Sequence, residues 1–308
     1  MSFSTRIKEE ITRIDSSKIE KIATLSAIVR NNAIISNEIT IHIENNSVAR
    51  YVFKLFKEIY GVSSIITVRN KPFNKGLSYI LEIKTKVEEI LSDLSIIDNR
   101  GNNLSVPKDY LISDEDALRS YLKGVFIATG SVNDPKTSRY HLELVIDDGE
   151  YANFINEVLN NYDLNSRIIK REKNYTVYIK EAEKISDFLR IIKAYDAVLY
   201  FEDIRIYRDH KNMTNRLNNC EQANMDKIFL TALNQIKDIE ILQKLDIIEM
   251  LDDKLQEVIE YRLKYKEASL LELSDIITRE TGNKITKSGL NHRFRKIREI
   301  VNNIENKK

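Results

Sequence analysis

The chain has 308 residues, 42% hydrophobic and 31% charged, with 48 Lys/Arg against 47 Asp/Glu and a formal net charge of +1. That length predicts two or three domains with real cores, and so even a balance means that any nucleic-acid partner must be met by a local patch. The lone cysteine, Cys220, excludes an intramolecular disulfide and a multi-cysteine zinc site, and it fits a reducing, cytoplasmic interior. No stretch of eighteen apolar residues and no signal-type leader is present, so neither a membrane span nor export is expected.

The polar start of the chain runs directly into a charged helix. Residues 18–30 read as a helix with Ile19, Ile22, Leu25, Ile28 and Val29 inward. A strand pair follows at 33–35 and 38–43. A helix over 47–60 carries Val52, Phe53, Leu55, Phe56 and Ile59, and strands at 65–68 and 79–83 lead to a helix over 87–94. The order then recurs. Residues 115–129 are helical with Leu118, Leu122, Val125 and Phe126 inward, 140–146 alternate as a strand and 151–159 form a helix. Strands at 167–169 and 175–179 and a helix over 182–192 close this copy. It shows one strand before its middle helix where the first shows two, yet both fit α-β-β-α-β-β-α. Repeats at about 15–97 and 112–195, joined by polar residues 98–107, therefore build an α+β domain over 1–204. His42 and His141 lie in strand-like sequence and read as structural histidines. Arg69, Lys71, Lys75, Lys84 and Lys86 fall on later strands and loops of the first repeat, among many acids, which leaves DNA contact by that face open.

Two segments match in place: Leu25-Ser26-Ala27-Ile28-Val29-Arg30-Asn31-Asn32-Ala33 and Leu122-Lys123-Gly124-Val125-Phe126-Ile127-Ala128-Thr129-Gly130. Both resemble degraded copies of the LAGLIDADG motif. In that endonuclease fold the two motif helices pack at small residues, and an acid near each end meets a divalent metal. The corresponding positions here are Asn32 and Thr129, which are not carboxylates. Hard cations need anionic oxygen ligands, so no catalytic residue, metal or cofactor is expected. Asp147-Asp148-Gly149 supplies carboxylates nearby, but at a strand-to-helix junction, where N-capping is the expected role.

Residues 205–224 read as a basic linker. Arg205, Arg208, Lys211 and Arg216 interleave with Tyr207, His210, Asn212 and Asn215. Such a segment either follows a phosphate backbone or packs at the junction with its arginines paired. The helical third segment, 225–308, opens with a long helix over 225–245. Residues 254–264 put Leu255, Val258, Ile259 and Leu263 on one face. Ser269 caps a second helix with Leu270, Leu271, Leu273, Ile276 and Ile277, and Thr281-Gly282-Asn283 is a turn. Residues 286–301 form a basic helix, capped by Thr286 or Ser288, with Leu290, Phe294, Ile297 and Val301 as its apolar stripe. From Lys284 onward there are eight Lys/Arg and two Glu.

Short amphipathic helices with a tight turn before a basic last one form a helix-turn-helix pattern. In that geometry Lys287, Ser288, Asn291, His292 and Arg295 lie nearest the base edges, while Arg293, Lys296 and Arg298 reach phosphates. Gly289 in the first turn is unfavourable for helicity, which points to close approach to DNA or to tight packing on the second helix.

A degraded double-LAGLIDADG domain followed by a basic helix-turn-helix resembles the WhiA family of bacterial sporulation and cell-division proteins, over essentially the whole chain. Its most specific segments begin at Leu122, running through Gly130-Ser131-Val132-Asn133-Asp134-Pro135. They continue with Asn215-Arg216-Leu217-Asn218-Asn219-Cys220-Glu221-Gln222-Ala223-Asn224 and Lys287-Ser288-Gly289-Leu290-Asn291-His292-Arg293. The resemblance implies DNA binding without nuclease activity, a helix-turn-helix like the promoter-reading region of sigma factors, and roles in division, chromosome segregation or sporulation. The expectation is a sequence-specific, double-stranded-DNA-binding transcriptional regulator. It would be monomeric and nucleoid-associated, with the transcription machinery or another regulator as a further partner. The alternatives are a chromosome-anchored scaffold for a protein partner and, more remotely, a metal-dependent homing endonuclease.

Overall fold

A computed structural model describes residues 1–70 and 77–306. The chain divides into two compact units, Met1–Arg208 and Asp209–Lys308.

The first unit opens with α1 (Phe3–Ile11), which buries Phe3, Ile7 and Ile11. The first repeat is α2 (Lys18–Asn32), β1 (Ala33–Ile35), β2 (Ile39–Ile43), α3 (Asn46–Tyr60), β3 (Ile65–Asn70), β4 (Leu77–Ile83) and α4 (Val87–Asp93). The second is α5 (Glu115–Thr129), β5 (Gly130–Val132), β6 (Leu142–Ile146), α6 (Gly149–Asn161), β7 (Arg167–Lys170), β8 (Tyr175–Ile179) and α7 (Ala182–Ile191). Each repeat folds its strands into an antiparallel sheet, in the orders β1-β2-β4-β3 and β5-β6-β8-β7. Strand β5 is the one the sequence reading lacked. It pairs Gly130 with Leu144 as β1 pairs Ala33 with Ile41, so both repeats are complete.

Local chemistry accounts for the elements. On β2, Ile39, Ile41 and Ile43 are buried while His42 is exposed, the period-two pattern of a half-covered sheet. The structural role expected for His42 therefore fails; His141 does pair, its Nε2 3.4 Å from Glu143 Oε2. Ser17 and Glu20 form a capping box at α2. Asn45 and Asp148 cap α3 and α6 by accepting from Val48 N (3.0 Å) and Tyr151 N (2.7 Å), so Asp148 takes the N-cap role.

The two motif helices, α2 and α5, pack on each other at the centre of this unit. The Thr24 hydroxyl donates to the Ser120 carbonyl at 3.0 Å. A Cβ added at Gly124 would lie 2.4 Å from the Thr24 carbonyl oxygen and 2.8 Å from Ala27 Cβ, so only glycine permits this approach. The neighbouring Lys123 is 3% exposed, and burial pulls its pKa down to about 8.

The second unit contains most of α8 (Tyr195–Lys244), α9 (Asp253–Lys264), α10 (Leu270–Thr281) and α11 (Lys287–Glu305). Residues 205–224, expected as a linker, are helical throughout and belong to α8. Neither proline nor glycine occurs between Tyr195 and Lys244 to interrupt it. Ile239 and Leu242 of α8 share one core with Leu255, Val258, Ile259, Leu273, Ile277, Leu290, Phe294, Ile297 and Val301.

Candidate nucleic-acid interface

Capping sets the geometry of the last two helices. Ser269 and Glu272 form a capping box that starts α10, and Gly282 ends it in the left-handed region at φ 73°. Thr286 then caps α11 by accepting from Gly289 N at 3.1 Å. The α11 stripe of Leu290, Phe294, Ile297 and Val301 is buried as expected. At ~100° per residue, Ser288, His292 and Arg295 fall on the side opposite that stripe, flanked by Asn291, Lys287 and Arg298. All six are exposed, and so is Lys296 on the other flank.

Arg295 Nη2 lies 3.1 Å from His292 Nδ1, and Arg295 Nε lies 3.9 Å from Glu299 Oε1. Arg293 is placed differently from its neighbours. Half-buried, it turns toward α9, where its Nη1 pairs with Glu257 Oε2 at 2.9 Å and donates to the Lys254 carbonyl at 3.3 Å. It fixes the position of α11 on α9. At Gly289 an added Cβ would meet only Thr286 Oγ1 at 3.5 Å and Ile285 Cγ1 at 3.7 Å, which are ordinary contacts. Packing on α10 does not require this glycine.

In the first unit the motif helices end at Asn32 and Thr129, the positions expected to have lost their acids. Asn32 lines a cavity of about 450 Å³ together with Lys8, His42 and Asn45. The Thr129 hydroxyl is spent on the Val125 carbonyl at 3.0 Å. Among the described residues, no group of three or more His, Cys, Asp or Glu is arranged to hold a metal ion.

Models of three families match the chain: the WhiA N-terminal LAGLIDADG-like domain over 18–97, the WhiA LAGLIDADG-like domain over 118–211, and the WhiA C-terminal HTH domain over 214–301. Relatives named "Probable cell division protein WhiA" from Staphylococcus aureus strains JH9 and Newman are each 41% identical over 312 residues. Those alignments cover 99% of this chain and 98% of each relative. The chain belongs to the WhiA family. Full-length WhiA from Thermatoga maritima shares the fold with a TM-score of 0.60 at 23% identity, covering 98% of this chain and 99% of that one. The N-terminal LAGLIDADG domain of WhiA matches with a TM-score of 0.50 at 21% identity, over 62% of this chain and 92% of that one. Two LAGLIDADG-like repeats and a helix-turn-helix, as expected from the sequence, are thus the architecture of this WhiA chain.

The basic stretch between the WhiA domains divides in its roles. Arg205 Nε pairs with Glu202 Oε2 at 2.8 Å. Arg208 Nη1 donates to the carbonyls of Pro135 (2.6 Å) and Ser138 (2.9 Å), and its guanidinium stands 5.1 Å from the Tyr140 ring centroid. Arg208 fastens α8 to the second repeat and Arg205 pairs within α8, whereas Lys211 and Arg216 are exposed. In the first repeat, Lys84 pairs with Glu38 (3.4 Å) and Glu82 (3.2 Å), Arg69 is exposed, and Lys71 and Lys75 lie outside the described residues. Among the described residues, no helix is long and apolar enough to cross a membrane. The sequence reading missed Arg262, which interrupts the apolar stripe of α9 and is 1% exposed. Its signal was the spacing Leu255, Val258, Ile259, Arg262, which asks for an apolar residue last.

Proposed function

We propose that this WhiA-family protein is a sequence-specific, non-enzymatic DNA-binding regulator of bacterial cell division, acting on transcription of its target genes. The observation that carries this reading is the exposed side of α11 formed by Ser288, His292 and Arg295 opposite the buried stripe, with Asn291 exposed on its flank. A helix anchored by one edge that offers cations and an amide on the other matches the major groove. Asn291 reads adenine, Arg295 reads guanine, and Lys287, Lys296 and Arg298 neutralise phosphates, with Lys211 and Arg216 as further contacts. Arg293 orients α11 through Glu257. The relatives' name supports cell division as the process, with chromosome segregation or sporulation as the alternatives. The protein acts as a monomer at the nucleoid, with the transcription machinery or a second regulator as partner. Absence of carboxylates at Asn32 and Thr129 supports a scaffold that no longer cuts.

Crosslinking of bound DNA across the genome identifies the site, and gel shifts on that site test the reading. Neutralising four or five phosphates gives a slope of log K against log salt of roughly −4. Arg295→Ala weakens specific binding by about 1–3 kcal/mol. Full affinity and unchanged preference in the double variant Arg295→Ala, Asn291→Ala would reject the groove assignment. Nicking of duplex by purified protein with Mg²⁺ would reject the non-enzymatic part.

A further inference from the structure

Arg262 stands where α9 turns its apolar side inward, and among the described residues it has no counter-charge there. Its Nη1 donates to the carbonyls of Tyr265 (3.3 Å) and Ala268 (2.6 Å), and its guanidinium lies 5.4 Å from the Phe294 ring centroid. Its Nε has no hydrogen-bond partner, and among the described residues no carboxylate pairs with the group. A buried cation held only by carbonyls and a ring remains under-compensated.

A cavity of about 320 Å³ opens beside it, walled by Ile228 and Ala232 of α8 and by Leu270 and Leu271 of α10, with Lys227 and Lys287 at its polar parts. Among the described residues, no acidic side chain lines it. Leu270 and Leu271 are the first two residues of a twelve-residue helix, where backbone N–H groups lack intrahelical acceptors and the helix dipole is positive. The Glu272 carboxylate is occupied by the Ser269 amide at 2.7 Å and is not part of the wall. Buried Arg262, two lysines and a helix start therefore line one cavity together with the hydrocarbon of Ile228, Ala232, Leu270 and Leu271.

We propose that this cavity binds an apolar monocarboxylate, its carboxylate at Arg262 and the start of α10 and its hydrocarbon body against Ile228, Ala232 and Leu271. A neutral apolar molecule leaves Arg262 uncompensated. A bare inorganic anion leaves the apolar walls in water. The volume suits a small ligand. Lys287 belongs both to this wall and to the first turn of α11, so occupancy competes with duplex binding. That regulatory half rests on the proposed function; ligand binding itself does not.

Octanoate titrated into the full-length protein by calorimetry tests the site, with octanamide and inorganic phosphate as controls. Octanoate is expected to bind saturably at about millimolar concentration or below. Both controls should bind at least about tenfold more weakly. Arg262→Gln removes the charge. Leu271→Glu sets a carboxylate at the cavity without disturbing the core, because Leu271 is 57% exposed. Each should weaken octanoate about tenfold or more. No saturable heat, equal binding of either control, or octanoate binding untouched by Leu271→Glu would overturn the proposal. Octanoate should also raise the concentration of protein needed to shift the target duplex. An unchanged shift overturns the regulatory half, and a protein that binds octanoate but no duplex overturns the earlier functional reading alone.

Discussion

Replacing Gly289 by alanine separates what the fold needs from what the ligand needs. The added methyl meets Thr286 Oγ1 at 3.5 Å and Ile285 Cγ1 at 3.7 Å, so it enters without a clash. The cap bond from Gly289 N to Thr286 is kept, because it uses only the backbone amide. Alanine recovers about 0.5–1 kcal/mol of helix propensity. For a unit spanning Asp209–Lys308 that raises the unfolding temperature by about 2–8 °C. Thermal circular dichroism of the full chain reads it, in the transition that Leu290→Ala lowers. Gly289 lies on the α11 flank shared with Lys296, so the methyl obstructs backbone approach more than base reading. Duplex affinity should fall with sequence preference unchanged. A destabilised variant would refute the packing argument, and a stabilised one with full affinity would refute close approach to DNA as the reason for this glycine.

Gly124→Ala should do the opposite, costing about 2–3 kcal/mol because its methyl meets the Thr24 carbonyl oxygen at 2.4 Å; urea denaturation measures it. Arg293→Ala should destabilise the second unit while Arg295→Ala stays within about 0.5 kcal/mol, and a double-mutant cycle of Arg293 with Glu257 should give a coupling of about 0.5–1.5 kcal/mol. Lys123 provides a pH test. Burial holds it at about 8 in the folded chain, so between pH 8 and 10 the unfolded chain binds more protons and stability rises with pH. Lys123→Met should flatten that rise and stabilise the first unit at pH 7 by about 1–3 kcal/mol; unchanged pH dependence of the melting temperature would contradict the assignment.

Much of this architecture was legible because local signals agreed. Helix α5 carried an apolar stripe of Leu118, Leu122, Val125 and Phe126, and the expected span 115–129 matches Glu115–Thr129. Strand β5 was illegible: three residues beginning with glycine show no alternation, and only its pairing with β6 defines it. Helix α8 was misread between 205 and 224 because its polar, exposed residues carry no apolar period, although nothing there breaks a helix. The exposed face of α11 followed from the stripe. The diversion of Arg293 did not, because Glu257 lies 36 residues away in the chain. For Arg205 and Arg208 the sequence left phosphate contact and pairing both open; Arg205 pairs with Glu202 one helical turn away, and the carbonyls of Pro135 and Ser138, about seventy residues distant, decide it for Arg208.

The central seam joins two halves that occupy one polypeptide, and they meet with unlike residues, Ala27 on α2 and Gly124 on α5. In an assembly of two identical subunits, any residue small enough for that crossing would be present on both partners. Each helix would then give up about 1 kcal/mol of intrinsic helicity. Covalent fusion lifts that obligation: one side supplies the clearance while the other keeps its methyl group. The same freedom lets either half acquire substitutions that its counterpart never has to accommodate.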